Sequence, residues 1–194
     1  MAQDGNPETQ REATDAIRIA PIHELSEREH IDLLRIVRDH ATARWLSDGR
    51  PWTPDKLLRM REWSARDAAL PWRERRYFYW GVIMGGAGVV GIVGLHPALA
   101  EFPPDHLQAM TAVAPALRGR GIAVRAVNAM MDVFCEREPS ARAIIAIVDA
   151  QNEPSLRAVV RMRGFTRRES ALRTRGREFI IFEFGGCAPS SERK

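Results

Sequence analysis

Hydrophobic residues recur along this chain in two rhythms, and the switches between them lay out its elements. "IRIAPI", Ile17 to Ile22, alternates apolar and polar positions and predicts a strand. Ser26 then opens a helical pattern, with Glu29 three residues on as a capping box and Leu33, Leu34 and Val37 on one face. "WTPDKLLRMREWSARDAAL" predicts a second helix, entered through Thr53 with Pro54 in its first turn. The middle of the chain is rich in strands: "RYFYWGVIM" and "GVVGIVGLH" flank "GGA" as a hairpin.

A Pro-rich connection, "PALAEFPPDH", leads to the short apolar strand "LQAMTAVA". Beyond the segment "LRGRG" a helix is expected from about Ile122 to Arg137, burying a stripe of Ala123, Val127, Met130, Met131 and Phe134. "ARAIIAIVDA" carries a continuous apolar run, the pattern of a strand covered on both faces. "EPSLRAVVRMRG" reads as a short helix stopped by Gly164. "FTRRESALRT" and "REFIIFEF" close the chain as a hairpin turning at Arg175–Gly176. The order β-α-α-β-β-β-α-β-α-β-β is that of a mixed α/β (α+β) domain without internal repeat. Residues 1–15 are expected to form a flexible lead-in, 16–185 a single domain and 186–194 a flexible tail.

Composition narrows the class. The 194 residues, 45% hydrophobic and 28% charged, suit one soluble globular domain. No apolar run approaches the roughly 20 residues that span a bilayer. The polar, acidic start "MAQDGNPETQREATDA" resembles neither a signal peptide nor an anchor, so a cytoplasmic protein without a membrane partner is expected. Cys135 and Cys187 have no metal or redox spacing and are expected as reduced thiols, with no metal bound. A net charge of +4 leans mildly toward anionic partners. Between Arg157 and Arg177 eight arginines face the single acid Glu169, either as a solvated face or as a surface for phosphates. Only one aromatic, Phe165, is interleaved with them, and that scarcity counts against nucleic-acid binding.

The chemistry concentrates in "LRGRGIAV". Gly119 and Gly121 admit backbone angles closed to other residues and let a ligand approach the main chain. The segment opens into a helix whose first amides lack intrahelical partners, and together these features make an anion seat. A tight turn with exposed arginines is the plainer alternative. The dinucleotide pattern G-x-G-x-x-G fails because its third position is Val124, and a Walker loop fails on spacing and on its missing lysine.

What fits is R-x-x-G-x-A, filled by Arg118, Gly121 and Ala123 within "VAPALRGRGIAVRAVNAMM". This resembles the pyrophosphate loop of the GNAT superfamily of acyl-CoA-dependent N-acetyltransferases. "IVDAQNEPSLRAVVRMRGF" is similar to the strand, N-x-x-S helix start and terminal G-F of the ribosomal-protein-alanine N-terminal acetyltransferase branch, and "RDHATARWLSDGRPWTPDKLLRMREW" to its paired first helices. The resemblance runs from about Ile17 to Phe184.

It implies the GNAT fold: a mixed, mostly antiparallel central sheet, splayed between strands 4 and 5 and flanked by helices. The strand Ala109–Ala114 would diverge from Ala143–Val148 to admit pantetheine as a pseudo-strand. Acetyl-CoA is the implied cosubstrate, with the main chain of Gly119, Arg120, Gly121, Ile122 and Ala123 on its pyrophosphate and a main-chain N–H near Val113 on the thioester carbonyl. Arg118 and Arg120 would either assist at the phosphates or face water. Asn152 would meet the pantetheine arm and Ser155 the sulfur, where its hydroxyl can protonate the departing thiolate. Both residues also suit plain helix capping.

The implied reaction is direct attack by a primary amine, either a peptide N-terminus or a small molecule, without a covalent enzyme intermediate. A non-catalytic CoA-binding sensor is the other reading. Where relatives often carry a Glu base, this chain has Gln108; Glu101, Asp105, His106 and His96 lie nearby, and the base stays unassigned. Trp45, Trp52 and Trp63 are candidates for an apolar acceptor wall or for packing. The oligomeric state, a homodimer included, stays open.

Overall fold

A parallel join between two antiparallel blocks organises this protein, seen in a computed structural model that describes residues 16–46, 49–138, 143–174 and 176–187. The elements are β1 (Ile17–Pro21), α1 (Glu27–Arg38), α2 (His40–Ala43), α3 (Pro54–Ala68), β2 (Phe78–Met84), β3 (Gly88–Pro97), β4 (Leu107–Val113), α4 (Ile122–Arg137), β5 (Ile144–Asp149), α5 (Glu153–Val159), β6 (Phe165–Thr174) and β7 (Arg177–Phe184). They form one seven-stranded sheet in the order β1-β2-β3-β4-β5-β7-β6. Every neighbouring pair is antiparallel except β4 and β5. The expected mixed, mostly antiparallel fold is the one observed. The lead-in, the tail beyond Cys187 and Arg175 of the last turn lie outside the described residues.

Local chemistry sets the helix starts. Ser26 accepts from the Glu29 amide while the Glu29 carboxylate accepts from the Ser26 amide at 2.9 Å, completing the capping box. Thr53 caps α3 through Lys56, with Pro54 in the first turn. Asp39 ends α1 and caps α2 through the Thr42 amide at 2.8 Å. Those bonds from Thr42 hold the Asp39 carboxyl below its ordinary titration range.

Alternation along the strands sorts side chains onto two faces. On one, Leu107 and Val113 of β4 join Ile122, Val127, Met130 and Phe134 of α4 in a buried cluster. On the other, Ala112 and, partly buried, Met110 join Leu33 and Val37 of α1, Trp52, and Leu57 and Met60 of α3. The stripe expected on α4 is buried at Val127, Met130, Met131 and Phe134, with Ala123 at its edge.

One expectation is overturned. Cys135 near the end of α4 and Cys187 after β7 form a disulfide, with Cα atoms 5.4 Å apart, although 52 residues separate them in sequence. β7 pairs with β5, and β5 is the strand that follows α4, so the sheet brings the chain's end back to that helix. Spacing along the chain carries no trace of this contact.

β3 and β4 approach closely at Gly91, where an added Cβ would press on the Ala112 carbonyl oxygen. Gly91→Ala should therefore destabilise the protein by about 1–3 kcal/mol, the range for overpacking a tight core. Urea unfolding measures this, and an unchanged midpoint would contradict the contact.

Candidate functional site

The parallel join between β4 and β5 is short. It pairs Leu107 with Ile144, Gln108 with Ile145 and Ala109 with Ala146, and then stops. Past that point β4 follows β3 up to Gly91↔Val113, while β5 follows β7 up to Asp149↔Phe179. Each strand keeps its antiparallel partner, and the two partners lead them apart.

Hydrogen-bond alternation identifies which main-chain groups line the opening. The Ala114 amide donates to Val90 of β3 and the Leu107 amide donates to Ala143 beside β5. Odd-numbered residues of β4 thus turn their N–H and C=O toward β5, which leaves Thr111 and Val113 facing the gap. The Ala150 amide donates to Glu178 of β7, so Ile147 of β5 faces the same gap from the other side. An extended molecule placed between the strands would meet a ladder of donors and acceptors. The Thr111 hydroxyl is buried here and has no hydrogen-bond partner.

The far end of the gap is closed by the glycine–arginine loop. Gly119 and Gly121 have φ of +78° and +72°, in the left-handed region, and a Cβ built at either meets nothing within 4 Å. Those glycines are required by backbone conformation, and open space lies over both. Gly121 is the residue that starts α4, with no side-chain cap on the helix's first amides. Ile122 is buried in the core, so only its main chain can serve a ligand. Ala123 is half-buried on the next turn position, and Arg120 is exposed.

Arg118 has a structural task. Its Nε donates to the Val113 carbonyl at 3.3 Å and its Nη2 donates to the Thr42 hydroxyl, with Asp39 at 3.8 Å. It ties the end of β4 to the α1–α2 corner. Main-chain donors of residues 119–123 therefore remain the principal anion ligands this loop can offer. Open glycines, an uncapped helix start and an orphaned Thr111 hydroxyl together fit a long, diphosphate-bearing ligand.

Across the gap, Asp149 ends β5. Its carboxylate accepts from the Gln151 amide at 2.7 Å and pairs with Arg177 of β7, which fixes the turn into α5. Asn152 caps α5 by accepting from the Ser155 amide at 3.3 Å, so capping is what its side-chain oxygen does. Its amide nitrogen is a separate donor. Ser155 stands half-buried in the first turn. Neither Asp149 nor Arg177 was picked out by sequence reasoning, since their contact spans 28 residues.

The face of the sheet under α1 and α3 forms the other approach. Trp63 stacks on Tyr77 at 4.9 Å, Tyr77 lies 6.2 Å from Tyr79, and Tyr79 lies 6.5 Å from His96. Trp52 is buried in that face's core and carries the Lys56 ammonium over its ring at 4.7 Å. Burial raises the Tyr79 phenol far above its usual range and lowers the His96 imidazole. Trp45 carries the Arg44 guanidinium at 4.3 Å.

The arginines near the C-terminus are largely matched. Arg157 pairs with Glu153, Arg163 with Asp132, Arg168 with Glu183, Arg173 with Glu178 and Arg177 with Asp149. That is a solvated, ion-paired face. Among the described residues no group of three or more His, Cys, Asp or Glu could hold a metal, and no helix is long and apolar enough to cross a membrane.

The family model described as an acetyltransferase (GNAT) domain matches residues 20–166. No curated protein matches the chain. Solved structures do match in fold. A GnaT-family acetyltransferase from Bordetella pertussis is 24% identical, with a TM-score of 0.65 over 88% of this chain and 96% of that one. The spermidine N-acetyltransferase of Vibrio cholerae, solved with CoA and spermine, is 14% identical, with a TM-score of 0.65 over 86% and 94%. The aminoglycoside acetyltransferase AAC(6')-Ib, solved with coenzyme A, is 14% identical, with a TM-score of 0.62 over 87% and 94%.

The link from Arg118 to Thr42 should register as energetic coupling. A double-mutant cycle of Arg118→Ala and Thr42→Val, read by urea unfolding, is expected to give an interaction energy of about 0.5–3 kcal/mol. Strict additivity would show that the two side chains act independently.

Proposed function

The chain belongs to the GNAT acetyltransferase family, and from that premise we propose that it transfers the acetyl group of acetyl-CoA to a primary amine, the α-amino group of a peptide or protein N-terminus, as in the ribosomal-protein-alanine branch. The observation that carries the reading is the three-residue join of β4 and β5 that opens toward a loop of left-handed glycines. The ladder at Thr111, Val113 and Ile147 has the spacing to receive the amides of a pantetheine arm as an added strand. The main chain of Gly119, Arg120, Gly121, Ile122 and Ala123 holds the pyrophosphate, with Arg120 adding charge at the surface and Arg118 positioning the strand end.

In this reading the Val113 N–H faces the thioester carbonyl and stabilises the charge that develops there, often the largest single contribution to acyl transfer. Arg118 occupies the Val113 carbonyl, which holds the end of β4 in place beside this N–H. The Asn152 amide nitrogen binds the pantetheine arm, and the Ser155 hydroxyl donates a proton to the departing thiolate. The amine attacks directly. Both cysteines are held in the disulfide, so neither competes as a nucleophile.

The choice of acceptor rests on charge. Lys56 stands on the amine-facing side, over Trp52 and close enough to depress His96. A polycation such as an aminoglycoside or a polyamine would bring several like charges there, whereas one α-ammonium brings a single one. A small, singly charged amine is the alternative acceptor. Gln108 in the base position motivates the other reading, a domain that binds CoA without turnover.

Mixing the protein with acetyl-CoA and an alanyl-terminated peptide, spermine or ribostamycin, and following free thiol, separates these outcomes. The peptide should release thiol fastest; CoA binding by calorimetry without release from any amine would favour the sensor. Gly121→Val should abolish CoA binding, because a branched residue at φ of +72° is strained and its side chain fills the open seat. Arg120→Ala should weaken binding less than about tenfold, as expected for an exposed charge contact. Equal losses from both substitutions would show that side chains, not peptide nitrogens, hold the phosphates.

A further inference from the structure

The amine-facing side of the sheet holds two polar side chains that the fold itself does not employ fully, and they are neighbours. Gln108 lies directly opposite His96 in the register of β4 against β3. Alternation puts both on the face that carries Tyr79, Trp52 and the partly buried Met110. In such a directly opposed pair the Cβ atoms stand about 4.5–5.5 Å apart. The Gln108 amide oxygen is buried and accepts no hydrogen bond. A buried acceptor left unmet costs about 1–3 kcal/mol, so the site is built for a donor the chain does not supply. Gln108 also stands at the base of the β4–β5 opening, paired with Ile145 on the last residues before the strands part.

His96 is prepared for the complementary task. Its Nδ1 lies 2.9 Å from the Pro97 carbonyl, and because a carbonyl only accepts, Nδ1 carries the hydrogen. Nε2 is therefore the lone-pair nitrogen of the neutral ring. Burial favours that neutral form and the Lys56 ammonium opposes protonation further, against the raising effect of the Pro97 contact. The groups around the ring are Lys56 from α3, Tyr79 from β2 with its phenol kept neutral by burial, and the uncharged Gln108 from β4.

We propose that His96 Nε2 accepts the proton of the incoming ammonium through a bridging water that the Gln108 oxygen also holds, since Val113 lies about 16 Å further along β4. This rests on the acetyl-transfer reading above and supplies the base that a glutamine at position 108 cannot be. His96 removes one proton from R–NH₃⁺, freeing the nitrogen lone pair. The N–C bond to the carbonyl carbon forms, the C–S bond breaks, and the electron pair leaves on sulfur. Ser155 passes a proton to that thiolate and is itself reprotonated by the second hydrogen leaving nitrogen. The His96 proton then returns to water, so each turnover yields amide, thiol and one released proton.

The sign of the pH dependence follows. Activity needs neutral His96, so kcat at saturating acetyl-CoA and alanyl peptide should fall as pH drops through a titration below the ordinary histidine range. His96→Gln should lower kcat at pH 7 by about a hundredfold or more, the usual contribution of a positioned base, and should erase that acid limb while CoA affinity by calorimetry stays unchanged. Gln108→Leu should not destabilise the fold, since it replaces an unmet acceptor, yet should lower kcat about fivefold through one lost hydrogen bond to that water.

A His96→Gln protein with kcat within about threefold of the parent and the same acid limb overturns the inference while leaving acetyl transfer intact. If that variant fails to bind CoA, Gln108→Leu decides, and an unchanged kcat overturns the inference. Absence of thiol release by the unsubstituted chain with every amine removes the acetyl-transfer reading and this inference together.

Discussion

The unequal loyalties of β4 and β5 are the constraint from which the site derives. Backbone N–H and C=O groups must be paired wherever they are buried, and each of these strands has a full antiparallel partner on its outer side. On their inner side they share only three residue pairs. Main-chain groups beyond that join stay available without exposing a sheet edge, because β1 and β6 form the edges. The recognition surface is thus made from peptide groups whose positions are fixed by the ladders on either side.

Side chains near the gap mostly serve to hold it. Arg118 joins the end of β4 to the α1–α2 corner, and Arg177 with Asp149 does the same for the end of β5. Both are charged groups in partly buried positions, where hydrogen bonding to charge is stronger than at the surface. They explain why the strand ends diverge to fixed places instead of fraying. The arginine-rich C-terminal segment belongs to the same logic, since its cations are matched by acids on neighbouring elements.

What the sequence discloses is what local physics determines. The Ser26–Glu29 capping box, the Thr53–Pro54 helix start and the span Ile122–Arg137 are written within a few residues of each element and recur in the structure. The left-handed glycines at 119 and 121 are equally local, and the pattern around them carried the family. Contacts between residues far apart in the chain were not legible. Cys135 meets Cys187 across 52 residues, and Arg118 meets Thr42 across 76. Neither contact follows from periodicity, because each depends on how the sheet folds the chain back. The short α2, which Asp39 caps after ending α1, was also hidden, since a break of one residue leaves the hydrophobic rhythm almost unchanged.

Gln108 shows how the two levels meet. In sequence it is a departure, an amide where relatives often place a carboxylate. In the sheet it lies directly opposite His96 of β3, the residue proposed above as the base. A carboxylate at 108 would sit in the same buried position and face the desolvation that raises its titration range. An amide there keeps the acceptor oxygen and carries no charge, so the cost of burial falls. An amide at 108 is thus compatible with a working site on the proposal made above, in which the base stands one strand away at His96.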